Sequence, residues 1–405
     1  MKRKLTITSL SLMALFLAVP RSASASRTWY VNGASGSDGN NCASPLTACK
    51  TIAHAITLAA SGDSIRVAAA TYAEHLTIGF SLNVIGFGAN TTIIDGVSAG
   101  RVISIPNTSS TVTLSNVTIR NGLVGGAVAR GGGIYNAGTL TINNCNIATN
   151  HVKASGGSWG AGIYNAGSLI VNNSTVSENK AGPISGGGGI YSTGALTINN
   201  STIAGNSANL GGGIVGGATI NKSTVSANTA YVGGAIHSGA LVLINSTLSG
   251  NAASKQGGGV NNIGTLNVFS STFSGNRAAN GGGIFNNGGT TRMQDSIIAN
   301  SPSGGNCSGV ITSNGYNMSS DGTCNFHNSG DRNTTDPMLG PLQNNGGPTQ
   351  TMALPSGSPA IDAGNPSGCT DNSGHMLTTD QRGFPRPDKE DTGGCDMGAY
   401  ERQTD

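Results

Sequence analysis

The chain has 405 residues, 64 of them Gly, with 37% hydrophobic but only 4% aromatic and 10% charged residues and a formal net charge of +3. The last two percentages argue against the core of an ordinary compact enzyme. Glycines in irregular pairs and triplets beside only 13 Pro exclude collagen, and short β-branched apolar runs exclude disorder, which leaves a β-rich chain with many tight turns.

Lys2, Arg3 and Lys4 precede the apolar run Leu10 to Val19, and Ala23-Ser24-Ala25 forms a small-x-small cleavage site. Residues 1–25 therefore read as a secretory signal peptide. The run is about ten residues long, where a bilayer span needs roughly 20. The expectation is an exported chain, extracellular or on the cell surface, with no transmembrane segment after cleavage. Cleavage removes Lys2, Arg3, Lys4 and Arg21 and leaves 17 basic against 18 acidic residues, so no global charge points to nucleic acid. The charge is nevertheless divided: residues 101–300 hold nine Lys or Arg and only Glu178 and Asp295, whereas residues 301–405 hold twelve acids and five bases.

Residues 26–62 read as an N-terminal cap. Within 50–60, Ile52, Ala55, Ile56 and Ala59 have helical spacing and predict one short amphipathic helix over the first coil, with His54 off the stripe and solvated. Residues 63–119 hold irregular β-type segments such as LNVIGFG and TTIIDG.

From residue 131 the chain repeats itself. GGGIYNAGTLTINNCNIATN (131–150), GAGIYNAGSLIVNNSTVSEN (160–179) and GGGIYSTGALTINNSTIAGN (187–206) are followed by four degraded copies that end near residue 300, at spacings of 22 to 29 residues. The aligned apolar positions fall into three sets. These are Ile134, Ile163, Ile190, Ile214, Ile236, Val260 and Ile284; Leu140, Leu169, Leu196, Ala218, Leu241 and Leu266; and Ile147, Val176, Ile203, Val225, Leu248, Phe273 and Ile298. Each repeat thus carries three short strands and cannot bury its apolar residues alone, but stacking at about 4.8 Å lines each set into a ladder. The fold expected is all-β: a single-stranded right-handed parallel β-helix over residues 63–300, with an N-terminal helix cap and a disulfide-containing C-terminal cap over 301–405. It is expected to be a monomer.

Asn150, Asn179, Asn206, Asn228, Asn251 and Asn276 follow the third segment, and Asn144, Asn173, Asn200 and Asn245 precede it. Stacked amides that hydrogen-bond from coil to coil, and left-handed bends, explain these columns better than glycosylation does, although several positions also form N-x-S/T sequons. Seven cysteines in an exported chain point to disulfides. Sequence proximity pairs Cys42 with Cys49, Cys307 with Cys324 and Cys369 with Cys395, other connectivities being open. Cys145 stands where other repeats have Ser and reads as a small buried residue.

The loops that lead from the third segment to the next coil place His151, Lys153, Lys180, Lys255 and Arg277 along one edge. Beside them, period-2 alternation turns Tyr135, Tyr164, Tyr191, Val215, His237, Asn261 and Phe285 outward. Tyr135, Tyr164 and Tyr191, with Trp159, Lys153, Lys180 and His237, are the candidate glycan-binding residues, with ring faces for sugars and cations for acidic groups. A packing ladder with a solubilising edge is the alternative.

The middle repeats resemble the right-handed parallel β-helix superfamily that includes pectate lyases, and also the polymorphic outer-membrane-protein repeats of bacterial surface proteins. Residues 297–401, with CSGVITSNGYNMSSDGTC, TDPMLGPLQNNGGPTQTMALPSGSPAIDAG, TDQRGFPRP and CDMGAYE in order, resemble the "choice-of-anchor Q" module. That resemblance implies a bacterial surface or secreted protein. In the same motifs, Asp362, Asp380, Arg382, Asp396 and Glu401 either bind Ca²⁺ or form Asp–Arg pairs that fix the cap, and the flanking Pro, Gly and Cys favour pairing.

The superfamily contains enzymes, so the available side chains were weighed against each chemistry. An inverting glycosidase needs two carboxyls roughly 6.5 to 9.5 Å apart, but Glu178 and Asp295 are four or more coils apart, about 20 Å. A calcium-dependent lyase needs more carboxylates than the regular stack holds. Neither catalytic residues, nor a metal, nor a cofactor is therefore expected. The function expected is a non-catalytic adhesive or glycan-binding scaffold whose partner is a polysaccharide or cell-envelope glycan. The alternative is a metal-independent polysaccharide lyase that works through the basic loop edge.

Overall fold

The computed structural model describes residues 26–389 and 394–404; the signal-peptide reading of residues 1–25 lies outside them. The chain forms an all-β right-handed parallel β-solenoid with three strands per coil. The third segments form an 11-stranded parallel sheet, and the first and second segments share a 20-stranded sheet. In-register pairing brings each apolar set into one column, as in Ile134–Ile163–Ile190–Ile214–Ile236–Val260–Ile284. Every residue of that column is fully buried, as is every residue of the column from Ile147 to Ile298. At about 1.5–3 kcal/mol per buried aliphatic side chain, the stack rather than any one coil holds the fold together.

Polar ladders line the corners of this core. From Asn150 to Asn251, each amide of the column donates from Nδ2 to the Oδ1 of the next coil's Asn at 2.9–3.0 Å, and that same Oδ1 accepts the donor residue's backbone N–H. All six side chains are buried. Asn144, Asn173, Asn200 and Asn245 serve a different purpose, with φ between 46° and 52° at the bend. Next to them, the backbone N–H of Cys145 donates to Ser174 Oγ, and the pattern continues through Ser201, Ser223, Ser246, Ser271 and Ser296. Burial pushes the Cys145 thiol up to about 11, which keeps it protonated and inert.

At the N-terminal end, a helix (Ile52–Leu58) buries Ile52, Ala55 and Ile56 over the first strands, Thr28–Val31 and Ser64–Val67. Thr51 Oγ1 accepts the His54 N–H, and both oxygens of Glu74 accept the free N–H groups of Ile52 and Ala53 at 2.9 and 2.8 Å. Ala59, the fourth residue of the expected stripe, is the C-cap. His54 is half-buried beside the Cys42–Cys49 disulfide rather than solvated.

Two features depart from the expected architecture. First, some loops after the third segment are themselves strands. Leu123–Gly126, His151–Ala154 and Lys180–Ala181 pair in parallel, and so do Ala129–Arg130, Ser158–Trp159 and Ser185–Gly186. They form a lateral wing packed on Ala129, Val152, Ala161 and Ala181. Second, the last hundred residues are only in part a far cap. Cys307, Ile311, Cys324 and Phe326 close the end of the core, with Cys307 and Cys324 disulfide-bonded.

The rest of the tail turns back along the flank of the stack and covers the outer face of the third sheet. Thr224 Oγ1 donates to Gln350 O at 2.6 Å, Thr247 Oγ1 donates to Gln381 Oε1 at 2.6 Å, and Thr272 Oγ1 accepts the Ala399 N–H at 3.0 Å. A second apolar cluster, including Ile297, Ala299, Leu354, Ala360 and Met397, fills the seam. The period-2 pattern hid most of this seam, because the outward residues at Thr224, Thr247 and Thr272 are polar.

Candidate functional site

The outward column expected from alternation forms: Tyr135, Tyr164, Tyr191, Val215, His237, Asn261 and Phe285 are consecutive register partners. Its geometry corrects one part of the expectation. The rings stack on each other, Tyr135 on Tyr164 at 5.5 Å and Tyr164 on Tyr191 at 5.6 Å between centroids, with interplanar angles of 5°. The upper end is closed by Arg101, whose guanidinium lies 5.1 Å from the Tyr135 centroid and donates to the carbonyls of Arg130 and Gly131. Arg130 lies 5.3 Å from the Tyr164 centroid, and Trp159 packs at 47° against Tyr191 at 5.1 Å. Tyr164 is only 8% exposed. The facing sides of the three rings are thus engaged with one another. His237 is likewise engaged: Asn261 Nδ2 lies 2.7 Å from its Nδ1, and burial holds the imidazole below its ordinary pKa. Arg101 and Arg130 entered the sequence reading only as charges, since their position over the rings depends on the wing.

The cations lie on the outer face of the wing and continue beyond it. His151, Lys180, Ser207, Thr229, Ala252 and Arg277 are successive partners up the stack, a run of five coil steps or about 24 Å. Val152 and Ala181 point into the wing's small core, while Lys153, Lys180, Lys255 and Arg277 are exposed. Where the wing ends, the shorter coils leave a shallow groove of about 580 Å³, lined by residues including Lys180, Pro183, Asn209, Tyr231 and Ser254. Tyr231, which the sequence reading passed over, is 51% exposed, with Lys255 Nζ 6.0 Å from its centroid. No repeat-aligned position marks it, since it sits in the strand Thr229–Val232, in a connection of variable length whose pairing with Ala252–Gln256 shifts register at this point. Between residues 179 and 294 the sequence holds no Asp or Glu, so exposed Glu178 is the one carboxylate that the coils from 151 to 294 carry. Burial, together with the charges of Lys153 and Lys180, holds His151 below its ordinary pKa.

Two acidic residues of the tail form buried ion pairs with arginine. Asp380 bonds Arg382 at 2.7 Å and Glu401 bonds Arg386 at 2.6 Å, all four buried, and the Arg382 guanidinium stacks on Tyr400 at 3.6 Å. Asp396 accepts the N–H groups of Asp362 and Arg402. Cys369 and Cys395 are disulfide-bonded beside Asp295, which accepts the Asn365 N–H. Burial pushes Asp295 up to about 6 against that hydrogen bond, and burial pushes Glu401 up to about 7 against the attraction of Arg386. Two groups of ligand-type atoms lie together among the described residues, Cys42–Cys49–His54 and Asp295–Cys369–Cys395, and in both the sulfurs are spent in a disulfide.

No family model matches the sequence, and no curated protein does either. Among solved structures, the chain is similar to pectate lyase Pel9A, with 14% identity over 94% of this chain and 97% of that one and a TM-score of 0.60. More distant similarities are to XylC in complex with xylose (10% identity, 92% and 98% coverage, TM-score 0.44) and to a pectin methylesterase from carrot (11%, 63% and 76%, TM-score 0.35). At these identities the likeness to Pel9A shows the fold, a parallel β-helix of the pectin-lyase type, and not an activity. No helix of the described residues is long and apolar enough to cross a membrane.

Proposed function

We propose that the protein is an exported, monomeric, non-catalytic β-helix scaffold that holds an acidic polysaccharide along the cation row of the wing and the coils beyond it. One observation carries this reading: Lys180 and Arg277 share one register column with His151, exposed Lys153 and Lys255 lie on the neighbouring strands, and the sequence has no acid from 179 to 294. Repeated anionic sugars match such a row by charge and by its length, and exposed Tyr231 adds an apolar surface. The resemblance of residues 297–401 to a choice-of-anchor Q module supports a place at a bacterial surface.

The test is retention on immobilised polygalacturonate and heparin in a salt gradient. Wild type is expected to bind at low ionic strength, and the triple variant Lys153→Gln, Lys180→Gln, Lys255→Gln to elute at clearly lower salt with an unchanged melting temperature. Equal elution of the two proteins overturns the reading. A lyase reading draws on one specific observation, the depressed pKa of His151 between two ammonium groups, which suits a neutral base beside a carboxylate-binding pair. New absorbance at 235 nm from unsaturated uronates, lost in His151→Ala, would establish it in place of the scaffold.

A further inference from the structure

A second cleft lies at the other end of the molecule, away from the cation row. Tyr30, Arg66 and Ile85 are register partners on the first three coils and point outward, since their neighbours Ile65 and Val84 fill the core. One wall is the short 3-10 turn Pro45–Thr47. It is held in place by the Cys42–Cys49 disulfide and by backbone bonds from Tyr30 N–H to Cys42 O and from Cys49 N–H to Tyr30 O. Phe87, just after the strand Leu82–Gly86, lines the same cleft. The cleft measures about 410 Å³ and is also lined by Asn32 and Asn116, a size that falls in the roughly 300–1,000 Å³ range of small-ligand sites.

Two properties of this cleft are unexplained by folding. Phe87 is 80% exposed on a wall that a coil has no structural need to build from an aromatic. Arg66 makes no ion pair among the described residues. The four acids between residues 26 and 100 are occupied elsewhere: Asp38 on the N–H groups of Lys50 and Thr51, Asp63 on Arg27 and Trp29, Glu74 on the helix, and Asp95 on Arg120. The result is an exposed arginine without an ion pair among the described residues, lining one cleft together with Tyr30 and Phe87.

We propose that this cleft is a binding site for a carboxylate carried on an aromatic or apolar body. A single guanidinium fork matches a monoanionic carboxylate in a bidentate pair, whereas a phosphate dianion would call for a second cation that the lining lacks. Phe87, Tyr30, Ile85 and Pro45 supply the apolar contact, and Asn32 and Asn116 also line the cleft. Such a ligand has two sources, a free aromatic acid or the C-terminal residue of a polypeptide with an apolar side chain.

The full mature chain is titrated by calorimetry and ligand-observed NMR with 3-phenylpropionate, with N-acetylphenylalanine as the chain-end probe, with the methyl esters of both, and with galacturonate. Binding of one or both aryl carboxylates is expected, with at least a tenfold loss in the esters and in each of Arg66→Gln and Phe87→Ala, whose melting temperatures stay at the wild-type value. Preference for N-acetylphenylalanine identifies a polypeptide terminus as the source, and preference for 3-phenylpropionate a free acid. Absence of binding, equal binding of esters and acids, indifference to Arg66→Gln, or binding of galacturonate alone overturns the proposal. Polyanion retention through the cation row is measured on the same variants, so that site stands or falls separately.

Discussion

Asparagine does two jobs in this protein, and the sequence shows them as one repeated letter. Asn206 is buried: its Nδ2 donates to Asn228 Oδ1 and to Val176 O, while its Oδ1 accepts the backbone N–H and Nδ2 of Asn179. Asn200, six residues earlier, holds a bend at φ 49°. Removing the first leaves two buried donors and one carbonyl without partners, at a cost of about 3 kcal/mol. Replacing the second with Gly keeps the left-handed conformation available at almost no cost. Thermal or urea melting is therefore expected to show a large loss for Asn206→Ala and a change within about 0.5 kcal/mol for Asn200→Gly. Equal losses would mean that the ladder contributes no more than the bend does.

At the level of elements, the wing and the tyrosine column support each other through one small residue. Gly186 pairs with Trp159 in the wing, and a Cβ placed on it would lie 3.2 Å from both the Trp159 and the Tyr191 rings. Gly186→Ala is thus expected to force these rings apart, with an overpacking loss of about 1–2 kcal/mol and a shifted Trp emission. Unchanged emission and stability would show that the ring pair is loose. The periodic parts of these elements were legible beforehand: the three apolar columns, the helix and the outward tyrosines all follow from spacing. The strand character of 123–126, 151–154 and 180–181 was not, because loops of unequal length carry no period and pair only once the coils below are stacked in register.

On the scale of the whole molecule, the tail docks through buried ionisable groups, and pH should reveal it. Asp295 and Glu401, raised to about 6 and about 7, take up protons in the folded chain at pH values where the unfolded chain has released them. Their contribution is fully present below pH 4 and is lost as pH rises through 6 to 7. For Asp295 alone this is on the order of 3 kcal/mol. Asp63 and Asp95 work in the opposite sense. Burial would raise them, but hydrogen bonds led by the Ala60 N–H and by Arg120 hold them below the ordinary carboxylate range, so their contribution disappears only in stronger acid. The melting temperature is expected to be higher at pH 5 than at pH 8, with the difference reduced in Asp295→Asn. A melting temperature that climbs steadily from pH 5 to pH 8 would show that the tail is not docked through these groups.

The sequence by itself determined the solenoid, its three columns, the capping helix, the role of Cys145 and the face on which the cations stand. Each of these is written as a period or an alternation, and stacking copies a local pattern without change. Only the tertiary structure decided that the tyrosine rings stack on one another, that the tail lies along the flank as well as at the end, and that Arg66 and Phe87 line one cleft. Those outcomes join segments with no common period, such as Thr224 with Gln350 and Gln381. Their partners are fixed by three-dimensional proximity, which a repeat does not encode.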